Sequence, residues 1–488
     1  MRHRFRLRSA VGGMGPPQGP DAVVASFAGP YGLYLHVPFC RSLCPYCPYN
    51  KVLYRAEAVP RYFDALHEEL RLYDAPRRHF TSLYVGGGTP SLCLRELASV
   101  LTRLTVEHER AIEGFPTHAT PEAVAELHEL GFDYVSIGIQ SFDERMLAHL
   151  GRLNTAEDNR RALAATVGSF ACVNADLIFD VAFAEPSVFL RDFEACCRSQ
   201  VDQISTYPLM HFGFTPFGKV PHAPRVEHDL LRRTCEIADR LGYERRSVWT
   251  FTRVGGPLYA SIAREFYLGC GAGAATFTGS DFLVNHFGLD RYIGALAEGR
   301  LPVARRAHLD PVRAALYYAF WQLYAPGLDL DRFALLFPGA RWVAPICRAL
   351  QRTGHLELDG GRFRLTERGY NRYHDLERWV TYHLIEPLWE EMLQEHPACA
   401  RPRALRSSAP PPLRADSAQS LEETAWSTTT TSSSSGLAQP ARKLRSRARS
   451  SASASPSSSA GTWSAASAST PVRSRRRRSA RQSSISRG

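Results

Sequence analysis

The chain has 488 residues, 44% hydrophobic and 22% charged, which is enough for two or three domains around a sizeable core. It contains no run of 18 apolar residues, its basic start MRHRFRLRSAVGG lacks the apolar core of an export signal, and its 11 irregularly spaced cysteines do not suit a secreted disulfide framework; a cytoplasmic protein without membrane contact is expected. The net charge of +11 is local: residues 401–488 carry 16 Lys and Arg against 3 Asp and Glu, leaving 43 basic and 45 acidic residues in 1–400, which argues against a nucleic-acid-binding body.

Residues 1–30 read as an irregular, Gly- and Pro-bearing segment. From 31 onward short apolar strands alternate with amphipathic helices. GLYLHVP precedes PRYFDALHEELRLY, SLYVGGG precedes LRELASVLTRL, AIEGFP precedes TPEAVAELHELG, YVSIGIQSF precedes DERMLAHLG, and CVNADLIFD precedes SVFLRDFEACCRS before a last strand, QISTYPLM. Strands separated by helices of this length are parallel and joined by crossovers, so residues 31–255 are predicted to form an α/β fold, a partial or full (β/α) barrel. Residues 256–395 form a second, smaller domain, helix-rich from about Leu309. In it GHLELDGGRFRLTERGYNRY places two short strands around Asp359-Gly360-Gly361, as in the wing of a winged helix. Residues 396–488 are rich in Ser, Ala and Arg with few aliphatics; they bury too little apolar surface to offset chain entropy and are expected to be disordered. RSRRRR in that tail is the one place suited to nonspecific binding of nucleic acid or another acidic surface.

Side chains alternate across a strand, so each strand can be read for its two faces. Leu33, Leu35 and Val37 oppose Tyr34 and His36; Val135, Ile137 and Ile139 oppose Ser136, Gly138 and Gln140. Asn174 and Asp176 share a face, as do Gln203, Ser205 and Tyr207. A barrel interior kept only for stability is filled with branched aliphatics. Polar groups recurring near the C-terminal ends of strands point to a ligand-holding lumen, where barrel enzymes place their sites.

Cys40, Cys44 and Cys47 form C-x3-C-x2-C on the loop after the first strand. A structural zinc site wants four protein ligands, and no second C-x2-C pair is present, so a zinc knuckle is disfavoured. Three thiolates suit a [4Fe–4S] cluster with one iron open to an exogenous ligand, although protein-bound clusters commonly take four cysteines. Cys93, Cys270, Cys196 and Cys197 read as small buried apolar residues.

C-x3-C-x2-C with Tyr46 before its third cysteine resembles the signature of radical S-adenosylmethionine (SAM) enzymes. With YLHVPFCRSLCPYC, YVGGGTPS, SIGIQSF, LGR, NADLIFD and YLGCGAGAATFTG in this order, the chain over about 31–390 resembles the oxygen-independent coproporphyrinogen III oxidase (HemN-like) group. The resemblance implies that SAM fills the open iron site and is cleaved by one electron to a 5′-deoxyadenosyl radical, the electron coming from a donor such as flavodoxin or ferredoxin. It implies SAM contacts at Tyr34, Tyr46, Gly87, Gly88, Thr89, Glu113, Gln140, Arg152 and Asp176, with one or two SAM molecules bound. The glycines would let backbone approach the ligand, and Arg152 would meet the SAM carboxylate. His36 stands behind these groups. The reaction it implies is oxidative decarboxylation of propionate side chains on a tetrapyrrole. Two other activities occur in such families: methyl transfer or cyclopropanation on another aromatic compound, and heme chaperoning without catalysis. The chaperone branch carries H-N-x-x-Y-W before its glycine-rich segment, where this chain reads RRSVWTFTRVGG. The short N-terminal segment, CPYCPYNK and YPLMHFGFTPFGK also depart from the oxidases' pattern.

Overall fold

All five expected strand–helix pairs and the last strand are present, and the sheet they build stays open. The structure, a computed structural model, describes residues 19–181, 184–219, 224–259 and 264–394, with backbone only at 224–226 and 394. The tail expected to be disordered, 396–488, lies outside the described residues.

In chain order the first half holds α1 (Pro20–Ala25), β1 (Gly32–Val37), β2 (Phe39–Cys40), β3 (Val52–Leu53), α2 (Ala58–Leu72), β4 (His79–Phe80), β5 (Leu83–Gly87), α3 (Leu94–Leu101), β6 (Thr105–Val106), β7 (Arg110–Gly114), α4 (Pro121–Glu129), β8 (Tyr134–Gln140), α5 (Glu144–His149), α6 (Ala156–Thr166), β9 (Cys172–Phe179), α7 (Pro186–Arg198) and β10 (Gln203–Pro208). After them come α8 (Pro224–Arg240), β11 (Tyr243–Arg245), β12 (Thr250–Arg253), β13 (Tyr267–Cys270), β14 (Ala275–Phe277), β15 (Asp281–Asn285), α9 (Leu289–Ala297), β16 (Val303–His308), α10 (Pro311–Tyr324), β17 (Leu328–Asp329), α11 (Leu330–Leu336), α12 (Val343–Arg352), β18 (Leu356–Asp359), β19 (Arg362–Leu365), α13 (Glu367–Val380) and α14 (Glu386–Gln394).

The main sheet runs β11-β12-β10-β9-β8-β7-β5-β1-β13-β14-β15-β16. From β13 through β1 to β10 every neighbouring pair is parallel. Both ends finish in antiparallel strands. The end strands β11 and β16 do not pair with each other, so the barrel is partial.

The apolar strand faces pack as their alternation requires. Leu33, Leu35, Val37, Val135, Ile137 and Ile139 are buried in one cluster with Tyr62, Phe63, Leu66 and Leu70 of α2. Spacings of three, four and eight residues put these α2 side chains on one helix stripe; each large apolar side chain so buried contributes roughly 2 kcal/mol.

Two differences from expectation stand out. Within 1–30, expected to be irregular, Pro20–Ala25 is helical, with Pro at the first turn and Val23 only 1% exposed in the core. Between Arg152 and β9 the chain forms α6, capped by a Thr155–Asp158 box. In the C-terminal part β17, β19 and β18 make a small antiparallel sheet. The β18–β19 hairpin turns through Gly360 (φ 55°) and Gly361 (φ 81°) and is the expected wing. A π turn, Thr381–Ile385, joins α13 to α14.

Candidate active site

The C-terminal ends of β1, β5, β7, β8 and β9 bring most of the singled-out residues to one place. Cys40 ends β2, and its Sγ accepts a 3.5 Å hydrogen bond from the Thr89 hydroxyl. Cys44 and Cys47 close a turn through Cys47 N to Cys44 O at 3.3 Å. Arg152 reaches Cys44 Sγ at 4.0 Å, and Lys51 Nζ donates to the Cys47 carbonyl at 2.5 Å. All three thiols are free. Burial pushes Cys40 up to about 11 and also raises Cys47, so metal ligation by either thiol would have to release its proton.

On β1, the Tyr34 hydroxyl donates to His36 Nδ1 at 2.8 Å, and His36 Nε2–H donates to the Asn50 carbonyl at 2.9 Å. A carbonyl can only accept, which sets the tautomer. Burial lowers His36 to about 4, keeping it neutral. His36 therefore stands behind Tyr34 and orients it.

Gly86, Gly87 and Gly88 make room for the chain's own groups. A Cβ on Gly87 (φ 119°) would lie 2.8 Å from the His36 ring; one on Gly88 would lie 2.6 Å from the Pro38 carbonyl. Glu113 on β7 accepts from the Tyr84 hydroxyl and, at 3.1 Å, from Gly87 N–H. Burial raises its pKa.

Asp176 on β9 accepts from Ser136 Oγ (2.8 Å) and Asn174 Nδ2 (2.9 Å). Asn174 Oδ1 in turn accepts from Ser205 Oγ (2.9 Å) and Gln203 Nε2 (3.1 Å). Three strands thus share one polar network on the face read as lumenal. Burial, with the nearby Glu113 charge, lifts Asp176 to about 7. Gln140 ends β8 in the left-handed region (φ 67°), where the β8–β9 register shifts. Its amide nitrogen and the Arg152 guanidinium crowd Gly138, whose Cβ would lie 2.8 Å and 3.5 Å from them. Arg152 stacks on Phe115, 4.2 Å from the ring centre, and donates to Gly138 O and to Asn154 Oδ1 (3.1 Å).

Tyr46 lies against Phe217 (ring centres 6.4 Å apart) in an apolar cluster with Met146, Leu150 and Ile178. Cys93, Cys196, Cys197 and Cys270 are buried in the core as small apolar groups. The glycine-rich turn after β13 also packs on the chain itself: a Cβ on Gly271 (φ 108°) would meet His36 O at 2.5 Å.

One cavity of about 1180 Å³ runs from β1, β5 and β7 to the C-terminal part; Cys40, Cys44, Cys47, Tyr46, Gln140, Arg152 and Asp176 are not among its lining residues. Its lining combines Tyr34, His36, Gly87 and Glu113 of the strand region with Phe282, Tyr317, Phe320, Trp321, Leu376 and Trp389 of the C-terminal part. Tyr84, Tyr49 and Trp389 were not singled out from the sequence. Tyr84 shares the alternation of β5 with Gly86 and was legible; Trp389, on the last helix, has no local signal. Among the described residues no three His, Cys, Asp or Glu side chains converge on a single metal-ion position. The three cysteines, too, do not converge on one such position. Thiols spaced apart on one segment suit a group that takes one thiolate per metal atom rather than a single ion.

The radical SAM superfamily signature matches residues 34–176. The chain is 30% identical over 377 residues to the heme chaperone HemW of Mycobacterium tuberculosis, covering 70% of this chain and 92% of that one. It is 29% identical over 329 residues to the oxygen-independent coproporphyrinogen III oxidase of Pseudomonas aeruginosa, covering 59% and 71%. Its fold is similar to that of the radical SAM coproporphyrinogen III oxidase HemN from Escherichia coli, with a TM-score of 0.61 and 22% identity over 74% of this chain and 92% of that one.

Proposed function

The chain belongs to the HemN-like family of the radical SAM superfamily, and on that footing we propose that it is an enzyme that cleaves SAM at a [4Fe–4S] cluster and acts on a tetrapyrrole of the coproporphyrinogen class. Cys40, Cys44 and Cys47 hold the cluster. When bound, cluster and SAM supply a one-electron route to a radical that abstracts a substrate hydrogen, the electron entering from a flavodoxin- or ferredoxin-type carrier.

The chain's own groups orient the cofactor. Glu113 and Asp176 take SAM hydroxyl or amino groups, and a cation there would favour their ionised forms against burial. Arg152, held flat on Phe115, offers a guanidinium edge to a carboxylate beside Cys44. Gln140 and Tyr34 add an amide and a phenol, and Tyr46 backs the cysteine loop. Residues 31–255 carry these contacts, and 256–395 close the substrate end.

The observation that carries this reading is the shared cavity, whose lining combines Glu113 and Gly87 with the aromatic side chains of the C-terminal part. At about 1180 Å³ it exceeds a drug-sized pocket and suits a macrocycle. The similarity to HemW over 92% of that protein favours a second reading, heme chaperoning.

The test uses full-length protein reconstituted anaerobically with iron and sulfide, then given SAM, dithionite and coproporphyrinogen III. Formation of 5′-deoxyadenosine with loss of carbon dioxide, both absent in a Cys40→Ala, Cys44→Ala, Cys47→Ala variant, supports the oxidase reading. Tight hemin binding without either product supports the chaperone. Production of 5′-deoxyadenosine with the porphyrinogen untouched, and no hemin binding, redirects the search to methyl-transfer substrates.

A further inference from the structure

Tyr49 stands two residues beyond Cys47, yet its side chain is 59% exposed while lining the cavity, as a group facing an internal space does. Trp389 of α14 comes within 5.9 Å of it, ring centre to ring centre, at an interplanar angle of 58°. Behind Trp389 lie Phe212 (6.1 Å, 30°) and Phe214 (6.4 Å) from the loop after β10. Three segments distant in sequence thus converge on one aromatic corner, of which Tyr49 and Trp389 line the cavity.

The helix that delivers Trp389 is latched. Glu386, one turn earlier and 2% exposed, accepts from Gly213 N–H at 2.6 Å and pairs with Lys219 Nζ at 3.1 Å. Met392, 1% exposed, packs on Val284 and Phe287. Glu386 and Met392 thus anchor α14 on both sides of Trp389.

We infer that Tyr49 and Trp389 form the wall against which this chain holds a planar, tetrapyrrole-type ring beside the cysteine loop, with Glu386 as the positioning residue for Trp389. The inference rests on the tetrapyrrole reading above and adds the residues that grip the ring. Aromatic faces hold planar π systems by offset stacking, with little conformational entropy to lose. Arg264, Arg313 and Arg372 line the same cavity, each also paired with a carboxylate of the chain (Glu109, Asp310 and Asp375), and add positive charge to its wall.

The probe is coproporphyrin III, titrated into the full-length protein and followed by its strong visible absorption. Trp389→Ala and Tyr49→Ala are each expected to raise Kd at least tenfold, and Trp389→Phe to stay within threefold of the parent. Glu386→Gln is expected to weaken binding severalfold in the parent and to add nothing in a Trp389→Ala background. An unchanged Kd in Trp389→Ala, a Phe variant as weak as the Ala variant, or a parent protein that does not bind the probe overturns the inference. A parent protein that binds the probe with this mutational pattern but forms no 5′-deoxyadenosine from SAM and dithionite overturns the radical reading and leaves the aromatic wall standing.

Discussion

Glu69 on α2 is fully buried and accepts three hydrogen bonds, from Gly271 N–H (2.7 Å), Asn285 Nδ2 (2.7 Å) and the Tyr292 hydroxyl (2.6 Å). Burial outweighs these donors and lifts its pKa from 4.5 to about 7. The folded state therefore binds this proton more tightly than the unfolded one. Its contribution is greatest below about pH 4.5 and is lost as pH rises through 7, a fall of about 3 kcal/mol across that window. Glu69→Gln removes the titration, so the stability gap between parent and variant is expected to shift in the variant's favour between pH 5 and 8. Parallel pH profiles in chemical denaturation would refute this. Gly88 gives a steric counterpart. A Cβ there meets backbone atoms of Pro38 and Phe39 at 2.6–2.8 Å, which cannot rotate away. Gly88→Ala is expected to cost about 2 kcal/mol or more in urea unfolding and to shift the segment carrying Cys40, lowering iron content after reconstitution.

The β8–α6 connection shows how an element aims a side chain. Asn159, fully buried on α6, donates to Ile139 O (3.0 Å) and Ser141 O (2.7 Å) and accepts from Asn154 Nδ2 (2.8 Å). Asn154 Oδ1 then accepts from Arg152 Nε. Asn159→Ala takes this donor from Ser141 O and this acceptor from the Asn154 amide, while Ile139 O keeps the Ser141 N–H at 2.9 Å. It is expected to lose about 2 kcal/mol of stability and, by releasing Arg152 and the end of β8, to weaken SAM binding about tenfold as measured by equilibrium dialysis. Thr155→Ala removes only the cap of α6, where Thr155 Oγ1 accepts from Asp158 N–H at 3.1 Å and Asp158 returns a bond to Thr155 N–H at 2.8 Å. It is expected to cost about 1 kcal/mol with SAM affinity unchanged, which separates the two roles. The T-x-x-D spacing of this cap was present in the sequence beside LGR.

At the scale of the whole molecule, β1 is the seam. It pairs in parallel with β5 on one side and with β13 on the other, Tyr34 opposite Gly269 and Leu35 opposite Cys270. Asn50 Nδ2 also bonds to Ala272 O (2.9 Å) and Phe287 O (3.0 Å). A fragment ending at residue 255 would leave β1 as a long apolar edge and strip Glu69 of its donors. Such edges aggregate. Residues 31–255 alone are expected in the insoluble fraction on expression, and 1–394 in the soluble one; a soluble, cooperatively melting 31–255 fragment would refute the coupling.

Local pattern sufficed wherever one residue's neighbours in sequence are also its neighbours in the element. The alternation in LYLHV, VSIGIQ and VNADLI already separated core from lumen, because a strand turns successive side chains to opposite faces. The spacing of Cys40, Cys44 and Cys47 already put three thiols on one loop. Residues whose role comes from a distant partner were not legible. The glycines of Gly86–Gly88 were readable as a place of close approach, but only folding shows that His36, Pro38 and Phe39 are what approach them. Tyr49 and Trp389 lie 340 residues apart and carry no shared periodicity; a π turn and a buried Glu386 bring them together. Strand faces and ligand spacing are set by backbone geometry over a few residues. A cavity wall is set by which elements pack together, and that is decided only by the tertiary fold.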